Sequence, residues 1–394
     1  ADGIGVWARR VAADGSSLVR LNARHGEPVK VAASVGRSLV GFGPSPGDGR
    51  PVLVEFGGHR PPLQQALDAR WGQWQQRIDG LLPATRNRII DSSRRSRLLL
   101  VQARSDRRPV GWYRFDTESE QIERLGRAGL EPFHGAARQR QLALTTDDGL
   151  RLSGFYWSAA AAEYPAPAVV LVHGGPWARD RWGYNRLAQR LSAAGIVVLQ
   201  INFRGSRGFG SKLLMAGRRQ WGQAMQSDLL AGLALLVRGG VVDPERVCIA
   251  GKSYGGYAAL MGVLREPERY RCAMAHAPVT DIAADIRALA RRGNALALNE
   301  WRYMVGDPRQ DARRLRRVSP ITHADSLARP VLLSHGLRDG RVDPAHSHRF
   351  RRRAPPEQLR WLAFPEQGHD LRSPAAARRL EDAWVAFARR WLLE

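Results

Sequence analysis

Gly251-Lys252-Ser253-Tyr254-Gly255 sets a serine between two glycines at G-x-S-x-G spacing. An apolar, β-branched run at 247–249 precedes it, and a small-residue segment at 255–260 follows and reads as the start of a helix. In such a strand–turn–helix the serine is held in strained backbone geometry with Oγ projecting outward. Side chains two positions to either side would collide with the strand or the helix, which explains both glycines. A serine hydroxyl needs a base to accept its proton, and the base needs an acid to orient it. Apolar 331–335 runs into Gly336-Leu337-Arg338-Asp339, and apolar 359–364 runs into Pro365-Glu366-Gln367-Gly368-His369. Each places a candidate just past the carboxyl end of a strand, where the loops of a parallel sheet open on one crevice. Ser253, Asp339 and His369 are the expected nucleophile, orienting acid and base.

Other residues compete for these roles. Asp343 opens the helix expected from 344 and reads as its cap. Asp370 is the sequence neighbour of His369 and cannot easily turn back onto its Nδ1. His335, His346 and His348 have no carboxylate or cysteine at a spacing that completes a metal site. They read as a strand end and a helix face, and His276 and His323 read as structural. No metal or organic cofactor is expected. His173-Gly174-Gly175-Pro176 follows apolar 168–172, and its glycines let the main chain approach a developing oxyanion. The expected donors are the N–H groups of Gly175 and Tyr254. Trp177, Tyr257, Arg341 and Val342 are candidates for the substrate pocket, with 299–303 as a further lining segment.

These residues need elements to hold them. From 141 onward a hairpin, 141–146 with 150–157 over Asp147-Asp148-Gly149, leads into strands at 168–172, 196–202, 247–250, 272–275, 331–335 and 359–364. Helices are expected at 184–194, 217–237, 254–264 and 374–393. Alternation of this kind predicts a mostly parallel sheet with helices on both faces. Residues 1–132 read differently. Strands at 5–11, 18–22, 38–42, 52–56, 97–103, 111–116 and 122–125 alternate with turns, the first of them Ala-Asp-Gly-Ser at 13–16. A helical stretch at 62–76 carries Leu63, Leu67, Trp71 and Trp74. This resembles part of a β-propeller, yet it holds at most about three blades where closure takes at least about four. A helix-like linker at 133–139 opens the second domain, 133–394.

The chain has 394 residues, 44% of them hydrophobic, and a formal charge of +24. No run reaches the roughly 18–20 apolar residues of a membrane span. Lysine occurs only at Lys30, Lys212 and Lys252, so arginine carries the charge, clustered at 86–97, 287–292, 313–317 and 349–353. Without interleaved aromatics or a nucleic-acid fold motif the clusters predict solvated helix faces, no specific nucleic-acid binding, and nonspecific attraction to anionic surfaces. Cys248 and Cys272 read as small buried hydrophobes in core strands. The chain begins at Ala1 with no leader pattern, which leaves the compartment open between cytoplasmic and periplasmic or secreted.

Together, His173-Gly-Gly-Pro-Trp177, Asn202-Phe203-Arg204-Gly205-Ser206, Gly251-Lys-Ser-Tyr-Gly-Gly-Tyr257, His335-Gly-Leu-Arg-Asp339 and Gly368-His369 resemble the prolyl oligopeptidase family of serine peptidases. The acylaminoacyl-peptidase and dipeptidyl-peptidase-like branch is the nearest. The resemblance spans about 141 to the end. It implies an α/β-hydrolase fold with an N-terminal propeller, acyl-enzyme formation at Ser253, short peptide substrates, and the triad and oxyanion hole given above. Three departures stand out. His173 replaces the tyrosine whose hydroxyl aids the oxyanion in some members. Arg341 replaces a small polar residue. The propeller is incomplete, which implies a shortened member or the C-terminal portion of a longer enzyme. An intact triad also hydrolyses esters, so a carboxylesterase or lipase on this fold is the rival reading, and a non-catalytic binding module a third.

Overall fold

A computed structural model of the chain describes residues 5–11, 16–22, 28–34, 37–45, 49–58, 63–127, 133, 137–158 and 163–394. Residues 13–15 of the turn expected at 13–16, and 134–136 of the linker, lie outside these. Contacts divide the chain into two units, the first being Ala1–His134 with Arg181–Arg186 and Gly208–Lys212, the second the remainder.

In the first unit, consecutive strands pair antiparallel in three small sheets. β1 (Gly5–Val11), β2 (Ser16–Asn22) and β3 (Pro28–Ala32) form one, and β4 (Arg37–Pro44), β5 (Pro51–Gly58) and β6 (Leu63–Ala66) form another. The third joins β7 (Arg86–Ser92), β8 (Leu98–Arg104), β9 (Gly111–Asp116) and β10 (Ile122–Arg127). Helix α1 (Ala69–Leu81) lays Trp71, Trp74 and Ile78 on Val52, Leu53, Ile89, Leu99, Val101 and Phe115, giving this unit an apolar core. β8 shows the period of two, with Leu99, Val101 and Ala103 inward.

Three expectations for this region change. The helix expected at 62–76 starts only at Ala69, because Asp68 caps it with bonds to the N–H groups of Arg70 and Trp71. Leu63 and the residues after it pair instead with β5, Phe56 opposite Leu63. The arginine run at 86–97 is no helix face, since it begins with β7, which turns Asn87 and Ile89 inward. β3 has no counterpart among the expected strands.

The second unit is built on one eight-stranded sheet, ordered β11-β12-β14-β13-β15-β16-β17-β18. Its strands are β11 (Arg138–Thr145), β12 (Arg151–Ser158), β13 (Ala166–Val172), β14 (Val197–Asn202), β15 (Val242–Lys252), β16 (Cys272–His276), β17 (Val331–Gly336) and β18 (Leu359–Phe364). β11, β12 and β14 pair antiparallel, and from β14 to β18 all neighbours are parallel. Strands β13, β14, β16 and β17 are buried along their whole length, as expected of parallel strands covered on both faces. The connecting helices are α2 (Arg186–Ala193), α3 (Ser211–Ala216), α4 (Ala224–Arg238), α5 (Tyr254–Arg265), α6 (Ile282–Arg291), α7 (Ala295–Met304), α8 (Ala312–Arg317), α9 (Ala345–Arg353) and α10 (Pro374–Leu392).

Here too the structure corrects particulars. The helix expected from 217 to 237 begins only at Ala224, as α4, because Arg219 and Gly222 take left-handed φ values of 58° and 65° that break the helical path; α3 is a separate helix that ends at Ala216, before the expected start. The linker expected at 133–139 is already strand at Arg138 and Gln139, paired with Ser158 and Trp157. Cys248 and Cys272 are joined by a disulfide. They are direct register partners on β15 and β16, with Cα atoms 4.7 Å apart, inside the span a disulfide bridges.

Candidate active site

β15 ends at Lys252 and α5 begins at Tyr254, so Ser253 alone makes the turn. It does so at φ 60° and ψ −120°, a conformation costing about 1–3 kcal/mol for a residue with a Cβ. The turn is pinned on both sides: the Ser253 N–H donates to the His276 carbonyl at 2.9 Å, and its carbonyl accepts from the Tyr257 N–H at 2.9 Å. Ser253 occupies the N-cap position, yet its side chain makes no capping bond. Space dictates the glycines. A Cβ on Gly251 would stand 2.4 Å from the carbonyl carbon of Gly255, and one on Gly255 would stand 2.1 Å from the Val172 oxygen.

Asp339 and His369 come together. His369 Nδ1 lies 2.6 Å from Asp339 Oδ2, with the two residues 7% and 6% exposed. The carboxylate has two further sets of donors. Oδ1 accepts from the N–H groups of Arg341 at 2.7 Å and Val342 at 3.0 Å, and His335 Nε2 approaches Oδ2 at 3.2 Å. An ionised carboxylate offers about four acceptor sites, and here all are used. Burial pushes the Asp339 carboxyl up, but the bonds from His335, His369, Val342 and Arg341 outweigh it and hold the group well below the usual carboxylate range. A carboxylate that only accepts requires the proton of His369 on Nδ1. That leaves Nε2 with a free lone pair, the form a general base needs.

The loops carrying these residues meet. Gly336 packs so closely on the next loop that a Cβ would stand 2.2 Å from the Gly368 oxygen, and the Arg338 N–H donates to the Gln367 carbonyl at 2.9 Å. Lys252, beside Ser253, and Asp370, beside His369, form an ion pair at 2.5 Å, which brings the serine turn and the histidine loop side by side. Asp370 therefore faces Lys252 and also Arg341, at 3.7 Å. Asp343 accepts from the Ala345 N–H at 2.8 Å, a local capping bond at the start of α9.

On the opposite side of the serine, a Cβ on Gly174 would lie 3.7 Å from that of Ser253. Gly175 has φ +118°, and a Cβ there would stand 2.5 Å from the nitrogens of Trp177 and Ala178, so only glycine fits. The N–H of Tyr254, at the first position of α5, has no carbonyl one turn back within the helix. His173 stacks on Phe203 with centroids 4.3 Å apart and spends both ring nitrogens locally, Nδ1 on the Gly174 oxygen at 2.8 Å and Nε2 on Ser206 Oγ at 3.0 Å. Burial lowers its pKa to about 4.

The four pocket candidates separate. Arg341 is exposed and lines a cavity at His369. Trp177 is partly buried, edge-on to Trp301 at 5.4 Å. Tyr257 is a correction: it is 0% exposed, its hydroxyl donates to the Val318 carbonyl at 2.9 Å, and it packs on Trp221 and Tyr254, so it offers no surface to a substrate. Val342, 3% exposed, is likewise a backbone partner of Asp339 rather than a wall.

The sequence reading missed three supports. His335, read as a strand end, donates from Nε2 to Asp339 while its Nδ1 meets Ser347 Oγ at 2.7 Å. Its position four residues before Asp339 was the available signal. His276 receives the Ser253 N–H on its carbonyl, and Arg204 clamps two carboxylates. The Arg204 guanidinium bonds Asp228 at 2.8 and 2.9 Å and Asp148 at 2.9 and 3.2 Å. Its place in the Phe203-Arg204-Gly205-Ser206 run marked it. His346, considered above for metal binding, uses Nδ1 to accept from the N–H groups of Thr280 and Asp281.

A mixed, mostly parallel sheet with helices on both faces and a serine at the strand–helix turn after β15 defines an α/β hydrolase fold. The prolyl oligopeptidase family model matches residues 182–394, and the chain belongs to that family. Dipeptidyl aminopeptidase BIII of Pseudoxanthomonas mexicana is 32% identical over 280 residues, 68% of this chain and 40% of that one. Acylamino-acid-releasing enzyme 2 of Oryza sativa subsp. japonica is 27% identical over 222 residues, 53% of this chain and 28% of that one. The chain thus spans well under half the length of these relatives. Among solved structures, a puromycin-hydrolyzing peptidase of Mycobacterium tuberculosis shares the fold with a TM-score of 0.79 at 23% identity, over 99% of this chain and 60% of that one.

Proposed function

We propose that the protein is a serine peptidase that cleaves short peptides through an acyl-enzyme on Ser253, with 133–394 as its catalytic domain and 1–132 as a partial propeller-like region. The observation that carries this reading is the 2.6 Å bond between His369 Nδ1 and the fully engaged Asp339 carboxylate, on a loop tied by Lys252–Asp370 to the strained serine turn. His369 Nε2 takes the Ser253 proton as Oγ attacks the scissile carbonyl. Asp339 fixes the tautomer and stabilises the imidazolium. The N–H groups of Gly175 and Tyr254 receive the oxyanion. His369 then protonates the leaving amine, and water, activated by the same imidazole, releases the acyl group. The family's peptidases support an amide as the scissile bond.

Turnover of aminoacyl and dipeptidyl anilides, with the amino end free or blocked, beside short-chain esters tests this. Ser253→Ala is expected to lose anilide turnover and fluorophosphonate labelling while its circular dichroism and melting curve stay as in the parent. Efficient ester turnover with no anilide cleavage would instead favour a carboxylesterase, and labelling that survives Ser253→Ala would remove the nucleophile assignment.

A further inference from the structure

A cavity of about 690 Å³ in the second unit reaches His369, within the size range of ligand pockets. Arg292, Arg338, Arg341 and Arg372 line it, against two carboxylates, Glu366 and Asp370. Both carboxylates are already taken. Glu366 pairs with Arg338, and Asp370 pairs with Lys252 and with Arg341. Arg292 donates to the main-chain oxygen of Arg341 at 3.2 Å. Among the described residues neither Arg292 nor Arg372 has a carboxylate partner. The cavity therefore carries more guanidinium than its own anions neutralise, immediately beside the proposed general acid.

We propose that this cavity receives a carboxylate carried by the leaving half of the peptide substrate. The inference rests on the peptidase reading. If His369 protonates the departing amine, the chain beyond the scissile bond leaves past His369, toward these arginines. Guanidinium groups bind carboxylates through two parallel N–H bonds, and the fork suits the α-carboxylate of a short peptide or an acidic side chain one or two residues past the cleavage point. A neutral cap such as an amide makes no equivalent pair. A surface with an excess of one sign of charge also raises the local concentration of oppositely charged substrate, an effect that added salt removes. On this view the enzyme prefers substrates that end soon after the bond it cuts.

The test uses the whole protein and substrates with one common acyl half, an anilide and three peptides whose leaving dipeptide is Ala-Ala as free acid, Ala-Ala as amide, or Ala-Asp as amide. Two added guanidinium–carboxylate pairs at an exposed site should make the free acid exceed its amide in kcat/KM by about tenfold at low ionic strength, mainly through KM. Raising the salt to about 0.5 M should shrink the ratio toward one. In the double variant Arg292→Gln with Arg372→Gln the acid-to-amide ratio should collapse, a comparison made within one preparation and so independent of how much of it is folded. An Ala-Asp amide equal to the acid identifies any carboxylate as sufficient, and one equal to the Ala-Ala amide identifies the α-carboxylate; both support the site. Equal kcat/KM for acid and amide in the parent, with the anilide cleaved, overturns this inference alone. No cleavage of the anilide or of any of the peptides overturns the peptidase reading and this inference with it.

Discussion

Replacing Asp339 by asparagine changes one oxygen to an amino group, and the structure dictates which way the new side chain must turn. Oδ1 accepts from two main-chain N–H groups, those of Arg341 and Val342, while Oδ2 faces His369 Nδ1 and His335 Nε2. A main-chain N–H cannot reverse its polarity, whereas a neutral imidazole can move its proton to the other nitrogen. In Asp339→Asn the amide oxygen would therefore keep the Oδ1 position and the NH₂ would face the two imidazoles. His369 must then accept at Nδ1, so its proton sits on Nε2 and the group that should take the serine proton already carries one. His335 adapts at lower cost, since Nδ1 can donate to Ser347 Oγ once that hydroxyl rotates. It loses only its donation to the Val342 oxygen, now 3.1 Å from Nε2.

The magnitude follows. A triad with its histidine in the wrong tautomer loses about 10⁴ in kcat, near 5 kcal/mol of transition-state stabilisation at about 1.36 kcal/mol per decade. The folded state gives up about one buried hydrogen bond, on the order of 1 kcal/mol. Asp339→Asn should thus fall about four decades in anilide kcat with a melting temperature only a few degrees lower. Asp343→Asn, which alters only the local bond to the Ala345 N–H, should stay within a few-fold of the parent. An Asp339→Asn protein that keeps more than about a tenth of the parent kcat would refute the assignment of Asp339 as the orienting acid.

Other perturbations test the supports. Gly255→Ala sets a Cβ 2.1 Å from the Val172 oxygen and should cost about 1–3 kcal/mol in urea unfolding together with most activity, whereas Gly80→Ala in α1, with open space around it, should stabilise by about 0.5–1 kcal/mol. Arg204→Met strips the partner from Asp228, a side chain 1% exposed, and should destabilise by about 3–5 kcal/mol in the same assay. His173 has a folded pKa of about 4 against an ordinary 6.5, so the unfolded chain binds the extra proton between those values. Stability should therefore fall as pH drops from about 6.5 toward 4, by on the order of 3 kcal/mol for this residue, and His173→Gln should show a shallower fall in urea titrations at stepped pH.

What could be read from the residues divides along physical lines. The buried parallel strands were legible because continuous apolar runs of five or six residues admit few other readings, and the serine turn because its glycines are fixed by contacts of the main chain with itself. The first unit was harder. Leu63, Leu67, Trp71 and Trp74 keep a helical spacing through a stretch whose first four residues are strand, because pairing with β5 decides the conformation of Leu63 and sequence spacing does not register that partner. Tyr257 and Val342 show the same limit at the site. Proximity to a motif in sequence said that they were near the chemistry, but the turn of α5 points Tyr257 into the aromatic cluster with Trp221, and the loop after Asp339 offers the Val342 main chain rather than its side chain. The disulfide was invisible for a related reason, since only strand order makes Cys248 and Cys272 neighbours.

His173 ties the family departure to the geometry. Where some members place a tyrosine hydroxyl, this chain has an imidazole whose Nδ1 must carry the proton, because the Gly174 oxygen beside it can only accept. Its Nε2 is then the acceptor for the Ser206 hydroxyl, and the ring is neutral at any pH well above 4. A neutral ring with both nitrogens spent has nothing to donate to an oxyanion. If Ser253 is the nucleophile, stabilisation of the developing charge falls to main-chain N–H groups, and their positions depend on conformations that few residues tolerate, φ +118° at Gly175 and φ 60° at Ser253. The strain in the turn and the close packing around its glycines are then parts of one device. They fix donors that cannot rotate away, in place of a side-chain hydroxyl that can.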